Sequence, residues 1–192
     1  MALFRSVGEP ELAVRGQNVL LRPPMMSDHE EWAALREESR DFLTPWEPIW
    51  PADDLSRAAF RRRLKRYDED QRTDQSYALL IFKTGENTLV GGITLANVRR
   101  GVAQAGSIGY WVGVRYARQG YLTAALHALI PFAFDSLRLH RLEAACIPTN
   151  AASIALLEKT GFQREGYARE YLCINGVWAD HLLYARLRGD AL

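Results

Sequence analysis

The run Arg118-Gln119-Gly120-Tyr121-Leu122-Thr123 is where this sequence is best equipped to hold an anion. A strand pattern precedes it, with Ile108, Tyr110, Val112 and Val114 alternating with other residues. An apolar helical repeat follows, through Tyr121, Leu122, Ala125, Leu126, Leu129 and Ile130. A helix starting there offers unpaired N–H groups and roughly +0.5 of an elementary charge at its N-terminus. Gly120 lets the backbone pass close to a ligand and Arg118 adds a cation, so the place suits phosphate or pyrophosphate.

Other chemistry-bearing residues narrow the options by what they fail to form. Cys146 and Cys173 have no CxxC spacing and no Cys-His-Asn context, which gives neither a zinc site nor a disulfide framework. His29, His127, His140 and His181 lack metal-ligand spacing and read as structural or surface groups, so no metal is expected. Neither Gly-Lys-Ser/Thr nor GxGxxG is present, which argues against a nucleotide switch. The run Arg61-Arg62-Arg63-Leu64-Lys65-Arg66 could contact RNA. The simpler reading is a solvated row of Arg57, Arg61 and Lys65 at i,i+4, followed by Asp68, Glu69 and Asp70. A net charge of +1 gives no general attraction to nucleic acid or membrane. The N-terminus lacks a signal-like apolar run and no stretch approaches ~18 apolar residues, so the expected location is cytoplasmic.

The elements that must position the anion site follow from period and punctuation. With 48% hydrophobic residues in 192, one core is expected: a single domain over 18–188 behind a peripheral segment 1–17. A strand over Asn18–Arg22 stops at Pro23-Pro24, and Ser27 with Glu30 reads as a capping box for a helix ending near Arg40. Phe42 to Pro51 is too rich in proline for regular structure and reads as a loop that packs onto the body or a ligand. A helix is expected over Asp53–Tyr67, then strands over Ser76–Phe82 and Thr88–Val98, with Gly91-Gly92 marking a bulge or a close approach. The helix after Gly120 should reach Ser136 with a bend at Pro131. A strand over His140–Ile147, a helix capped by Asn150 and stopped by Gly161, and strands over Gln163–Ile174 and Val177–Leu187 complete the chain. Asn175-Gly176 between the last two favours a type I′ hairpin. The order β-α-α-β-β-β-α-β-α-β-β specifies an α/β class, a mixed sheet covered by helices.

These motifs resemble the GCN5-related N-acetyltransferases over nearly the whole chain. Ala117-Arg118-Gln119-Gly120-Tyr121-Leu122 resembles that family's acetyl-CoA pyrophosphate loop, departing from it at Ala117 and Leu122. Asn150-x-x-Ser153 with Leu157-Glu158-Lys159-Thr160-Gly161-Phe162 is similar to the family's next unit. Phe42-Leu43-x-Pro45-Trp46-Glu47-Pro48 and Tyr171-Leu172-x-Ile174-Asn175-Gly176-x-Trp178-x-Asp180-His181 look like the ribosomal-protein-alanine acetyltransferases of the RimJ/RimL type.

The resemblance implies a mostly antiparallel sheet with splayed middle strands and helices on both faces, acetyl-CoA as cosubstrate, and direct attack of an amine on the thioester. The acceptor it implies is the N-terminus of a protein, ribosomal in this subgroup; a small amine, an antibiotic, or an acyl-CoA sensor without turnover stay open. Neither nucleic acid nor membrane is an expected partner. Main-chain groups from Tyr110 through Trp111, Val112, Gly113 and Val114 would hold the pantetheine arm, with the N–H of Trp111 or Val112 facing the developing oxyanion. Arg118, Gln119, Gly120, Tyr121, Leu122 and Thr123 would take the pyrophosphate. Asn150 would contact pantetheine or only cap its helix, and Ser153 would protonate the CoA thiolate or only satisfy the first turn. Glu170 is a base or a surface charge, while Tyr110 and Ser107 are alternatives for ordering a water. Trp46, Trp50 and Trp178 wall the acceptor pocket or belong to the core. Glu30, Glu31, Glu37 and Glu38 would draw in a cationic N-terminus if their helix borders the channel.

Overall fold

A computed structural model describes residues 12–190. Its sheet has eight strands in the order β1-β2-β3-β4-β5-β6-β8-β7. They are β1 (Val14–Arg15), β2 (Val19–Arg22), β3 (Tyr77–Lys83), β4 (Thr88–Arg99), β5 (Ala105–Val112), β6 (Arg141–Cys146), β7 (Gln163–Ile174) and β8 (Val177–Leu187). Every neighbouring pair is antiparallel except β5 and β6. The helices are α1 (His29–Glu38), α2 (Arg40–Leu43), α3 (Arg57–Arg72), α4 (Tyr121–Pro131) and α5 (Ala151–Lys159). One apolar cluster joins α4 to the sheet through Ile81, Ile93, Leu126 and Leu129, and a second joins α1 and α3 through Trp32, Leu35, Phe60 and Phe82. Helices therefore cover both faces, as the sequence leads one to expect. Among the described residues, no helix is long and apolar enough to cross a membrane.

Several local expectations need correction. Residues 12–17 carry a short strand that pairs with β2, so this part of the lead-in adds to the sheet; residues 1–11 lie outside the described range. Ser27 does not cap α1. A 3₁₀ turn occupies Met26–Asp28, and the Asp28 carboxylate accepts from Met25 N–H at 2.7 Å and from both Arg22 Nη atoms at 2.7 and 2.8 Å. The helix expected over Asp53–Tyr67 is α3, which begins only at Arg57, where Ser56 accepts from Ala59 N–H at 3.1 Å, and runs on to Arg72. The α-helical turns of α4 end at Pro131 and a π turn carries on over Phe132–Ser136, because proline brings no N–H for the carbonyl four residues back.

Two glycine signals have a structural cause. At Gly91-Gly92 the register slips past Val90, and a Cβ on Gly92 would run into the indole nitrogen of Trp111. Asn175 and Gly176 both have positive φ, 45° and 80°, as a type I′ turn requires.

Candidate functional site

The site is created by a ladder that stops early. β5 pairs with β6 only at Ala105, Gly106 and Ser107, although β5 continues to Val112 and β6 to Cys146. On its other edge β5 stays paired with β4 up to Val112 opposite Gly91. Gly113 N–H donates to Val90 at 2.9 Å, and the alternation of an antiparallel ladder then turns the main-chain groups of Trp111 toward β4. Those of Tyr110 and Val112 face the opening. The N–H of Val114 donates to Ser39 Oγ at 2.9 Å. Of the five residues expected to offer main-chain groups to the donor, Trp111, Gly113 and Val114 thus have their N–H groups directed elsewhere.

The opening broadens into a cleft of about 740 Å³ lined by β5, the start of α4, the start of α5 and the loop after α2. Within it Tyr110 Oη and Ser153 Oγ lie 2.7 Å apart, joining β5 to α5. Burial raises the Tyr110 pKa above the ordinary tyrosine value, with the Ser153 hydrogen bond offsetting part of the effect. The phenol therefore stays protonated. Cys146 borders the same serine, and burial raises its thiol pKa as well. Ser153 is placed by Asn150, whose Oδ1 accepts from Ser153 N–H at 3.0 Å. Both expected roles of Asn150 are compatible with this, since it caps α5 and lines the cleft.

Between β5 and α4 the chain turns through two left-handed residues, Arg118 at φ 61° and Gly120 at φ 84°. Such a turn gathers successive N–H groups into an anion-binding concavity, and among the described residues no side chain caps the helix that follows. Arg118, Gly120, Tyr121, Leu122 and Thr123 line the cleft, and Lys159 adds a second cation that sequence reasoning did not single out. Gln119 is turned away, with its Nε2 donating to Arg115 O at 2.7 Å. These groups fit the pyrophosphate and pantetheine of a CoA thioester: N–H donors and two cations beside the start of α4, and an open strand edge along β5.

A second cleft, of about 440 Å³, opens on the α1/α3 face of the sheet. It meets the first at Tyr110, Trp111 and Glu47, which border both. Trp50 lines it, Trp46 lines the larger cleft, and Trp178 lines neither, being 63% exposed on the hairpin. From α1 the cleft receives Trp32 and Arg36 rather than acids. Glu31 accepts from Leu89 N–H at 2.8 Å, Glu37 is paired with Arg40, and Glu38 with Arg115. Sequence reasoning assigned no role to Arg36 or Asp54, and it offered Arg63 only as part of the basic run 61–66. Glu47 entered the sequence reading only as a member of the motif Phe42-Leu43-x-Pro45-Trp46-Glu47-Pro48, with no role of its own.

Glu170 is not brought to either cleft. It sits exposed in a bulge of β7 at φ 46°, where the register shifts between Ala168 and Leu172, and its N–H donates to Asp180 at 2.8 Å. Among the described residues, no group of three or more His, Cys, Asp or Glu could hold a metal ion.

A family model described as an acetyltransferase (GNAT) domain matches residues 18–163. The chain is 36% identical to a probable N-acetyltransferase, YjcK, of Bacillus subtilis, over 92% of its length and 98% of the relative's. It is 31% identical to the [ribosomal protein uS5]-alanine N-acetyltransferase of Escherichia coli, over 94% of its length and 93% of the relative's. Among solved structures, Mycobacterium smegmatis RimJ in complex with CoA-disulfide superposes with a TM-score of 0.85 at 31% identity, covering 92% of this chain and 86% of that one. A ribosomal-protein-S5-alanine acetyltransferase from Vibrio fischeri gives a TM-score of 0.86 at 28% identity, covering 94% and 98%. The chain belongs to the GNAT acetyltransferase family, as an N-acetyltransferase that draws on acetyl-CoA and has the RimJ/RimL-type ribosomal-protein acetyltransferases among its relatives.

Proposed function

We propose that this enzyme acetylates the N-terminal α-amine of a protein, with ribosomal proteins as the class suggested by the names of its relatives. The observation that carries the reading is the meeting of two clefts at Tyr110, Trp111 and Glu47. Donor and acceptor approach from different faces of β5 and meet at its open edge, as direct transfer in a ternary complex requires. Residues 18–188 act in this reading as one catalytic domain.

The residues have separable tasks. Arg118, Lys159 and the first N–H groups of α4 hold the pyrophosphate, and the exposed edge of Tyr110 and Val112 pairs with the pantetheine arm. Val112 N–H is the main-chain donor placed to stabilise the developing oxyanion, an effect worth about 3–4 kcal/mol in oxyanion holes. Ser153 gives its proton to the departing thiolate and takes one from the Tyr110 hydroxyl, 2.7 Å away, and the proton that the acceptor amine releases to water returns to Tyr110, so both hydroxyls are protonated again after each turnover. Cys146 is buried with a raised pKa, which suits a thiol that takes no acyl group. The acceptor amine needs little help to lose its proton, since an α-amino group has a pKa of about 8, and a water suffices.

The test is CoA release from acetyl-CoA across a panel of N-terminal peptides, free amines and aminoglycosides. Turnover with peptides beginning in alanine or serine supports the proposal. Turnover confined to small amines overturns the acceptor, and tight acetyl-CoA binding without any turnover makes the protein a sensor.

A further inference from the structure

We infer that Glu47 receives the positively charged amine of the acceptor, an inference that rests on the N-terminal reading above. Among the described residues it is the one acidic side chain that borders both clefts, at the place where amine and thioester must meet. Asp54, the other acid of the acceptor cleft, is paired with Arg63 at 2.5 Å and lies on that cleft alone.

Its backbone is fixed from several directions. Pro45 sits in the 3₁₀ turn Thr44–Trp46, and Pro48 holds the preceding residue in extended conformation, seen at Glu47 as φ −123° and ψ 159°. The Glu47 carbonyl accepts from Asn175 N–H at 2.8 Å, which ties the loop to the β7–β8 hairpin. The side chain is held as firmly. Arg36 Nη1 and Nη2 donate to Oε1 and Oε2 at 2.8 and 2.6 Å, and Trp50 Nε1 donates to Oε2 at 2.7 Å. Arg36 is only 6% exposed and stacks on Trp50 at 4.1 Å and on Trp111 at 4.9 Å from the ring centroids.

A carboxylate oxygen accepts two hydrogen bonds. The three donors therefore leave Oε1 with one open position, a seat for an ammonium N–H. Because Arg36 and Trp50 already occupy three of its four acceptor positions, Glu47 is a docking partner for the amine. It seats the cationic amine beside Trp111 and Tyr110, and the proton then leaves to water.

The experiment compares a peptide beginning with alanine and its Nα-acetylated form, binding by calorimetry to CoA-loaded parent and Glu47→Gln enzyme. The amide substitution should weaken the free peptide about ten- to hundredfold, the range for losing a charged hydrogen-bond partner. The acetylated peptide and acetyl-CoA should bind within about twofold of the parent. Glu47→Asp keeps the charge beside Arg36 but draws the carboxylate back by one methylene from the seat of the amine, so it serves if the amide variant does not fold. Its acceptor KM should rise with the KM for acetyl-CoA unchanged. Equal weakening of free and acetylated peptide, or an unchanged acceptor KM in both variants while the parent turns over, overturns the role of Glu47. A parent that acetylates no N-terminal peptide overturns the functional reading as well.

Discussion

The two clefts on either side of β5 are built from different materials. On the donor side the groups that meet a ligand are largely main-chain: the open edge at Tyr110 and Val112, and the N–H groups entering α4 after two left-handed residues. On the acceptor side they are side chains from separate elements, Arg36 from α1, Glu47 and Trp50 from the loop, Arg63 from α3 and Trp111 from β5. A main-chain site tolerates side-chain change, so Ala117 and Leu122 can depart from the family's loop pattern without dismantling it. A side-chain site changes its chemistry with each substitution, which is where relatives with one donor can come to differ in acceptor.

The largest expected effect lies at the boundary between the two. Ser153→Ala and Tyr110→Phe should each lower kcat about a hundredfold, the lower end for loss of general acid–base help, with KM for acetyl-CoA little changed. Because one hydrogen bond joins the two hydroxyls, the double variant should lose little more than either single one. Full additivity in CoA-release kinetics would separate them and break the proposed relay.

Next comes the donor side alone. Gly120→Val forces a β-branched residue to φ 84°, although space is not the obstacle, since no atom of the described residues lies within 4 Å of the added Cβ. A left-handed residue with a side chain costs about 1–2 kcal/mol, so acetyl-CoA should bind roughly tenfold more weakly by calorimetry. The acceptor KM should stay put. On the other side, Gly92→Ala drives a methyl into the Trp111 indole, overpacking worth about 1–3 kcal/mol and a melting temperature lower by about 2–10 °C. Here the acceptor KM should rise more than that of acetyl-CoA. Equal changes in both would mean that Trp111 serves the two clefts alike.

A smaller and sharper test uses pH. Tyr110 has its pKa raised mainly by burial, and burial likewise pushes Tyr77 up to about 12, aided by the hydrogen bond to Asp74. A pKa raised in the folded state means stability that is complete below the unfolded tyrosine value of about 10 and lost as pH rises past it. Denaturant unfolding should therefore show a decline only above about pH 10, and Tyr110→Phe should reduce its steepness. An unchanged slope in that variant would place the Tyr110 hydroxyl in water.

What could be read from the sequence follows the same division. The alternation of β5, borne out as far as Val112, the switch of period after Arg115, the cap at Asn150 and the Asn175-Gly176 turn are local signals that the structure keeps, although Val114 already belongs to a 3₁₀ turn. The parity of the β4–β5 ladder is not local. It depends on pairing with residues some twenty positions away, so the sequence could not separate Trp111 from Val112 as the inward N–H. The acceptor cleft was least legible because Arg36 and Glu47 are brought to Trp111 only by tertiary packing. The four glutamates of α1 looked like an acceptor lure in sequence. Three of them have partners in the fold: Leu89 N–H, Arg40 and Arg115.

Glu170 tests the comparison from outside, since it belongs to neither cleft. Its sequence position before the hairpin suggested a base. In the fold a bulge turns it into solvent and ties its N–H to Asp180, whose carboxyl is held below the usual aspartate value chiefly by the Tyr167 hydroxyl. An exposed carboxylate that lines neither cleft has no path to the amine unless the hairpin moves, and Asn175 N–H holds the hairpin tip to Glu47 at 2.8 Å. Glu170→Gln should therefore leave kcat and both KM values within about twofold, as surface substitutions away from special features usually do. A tenfold loss of kcat, greater for lysine-like acceptors than for α-amines, would show that the hairpin closes over the acceptor and that the resting geometry is not the reacting one.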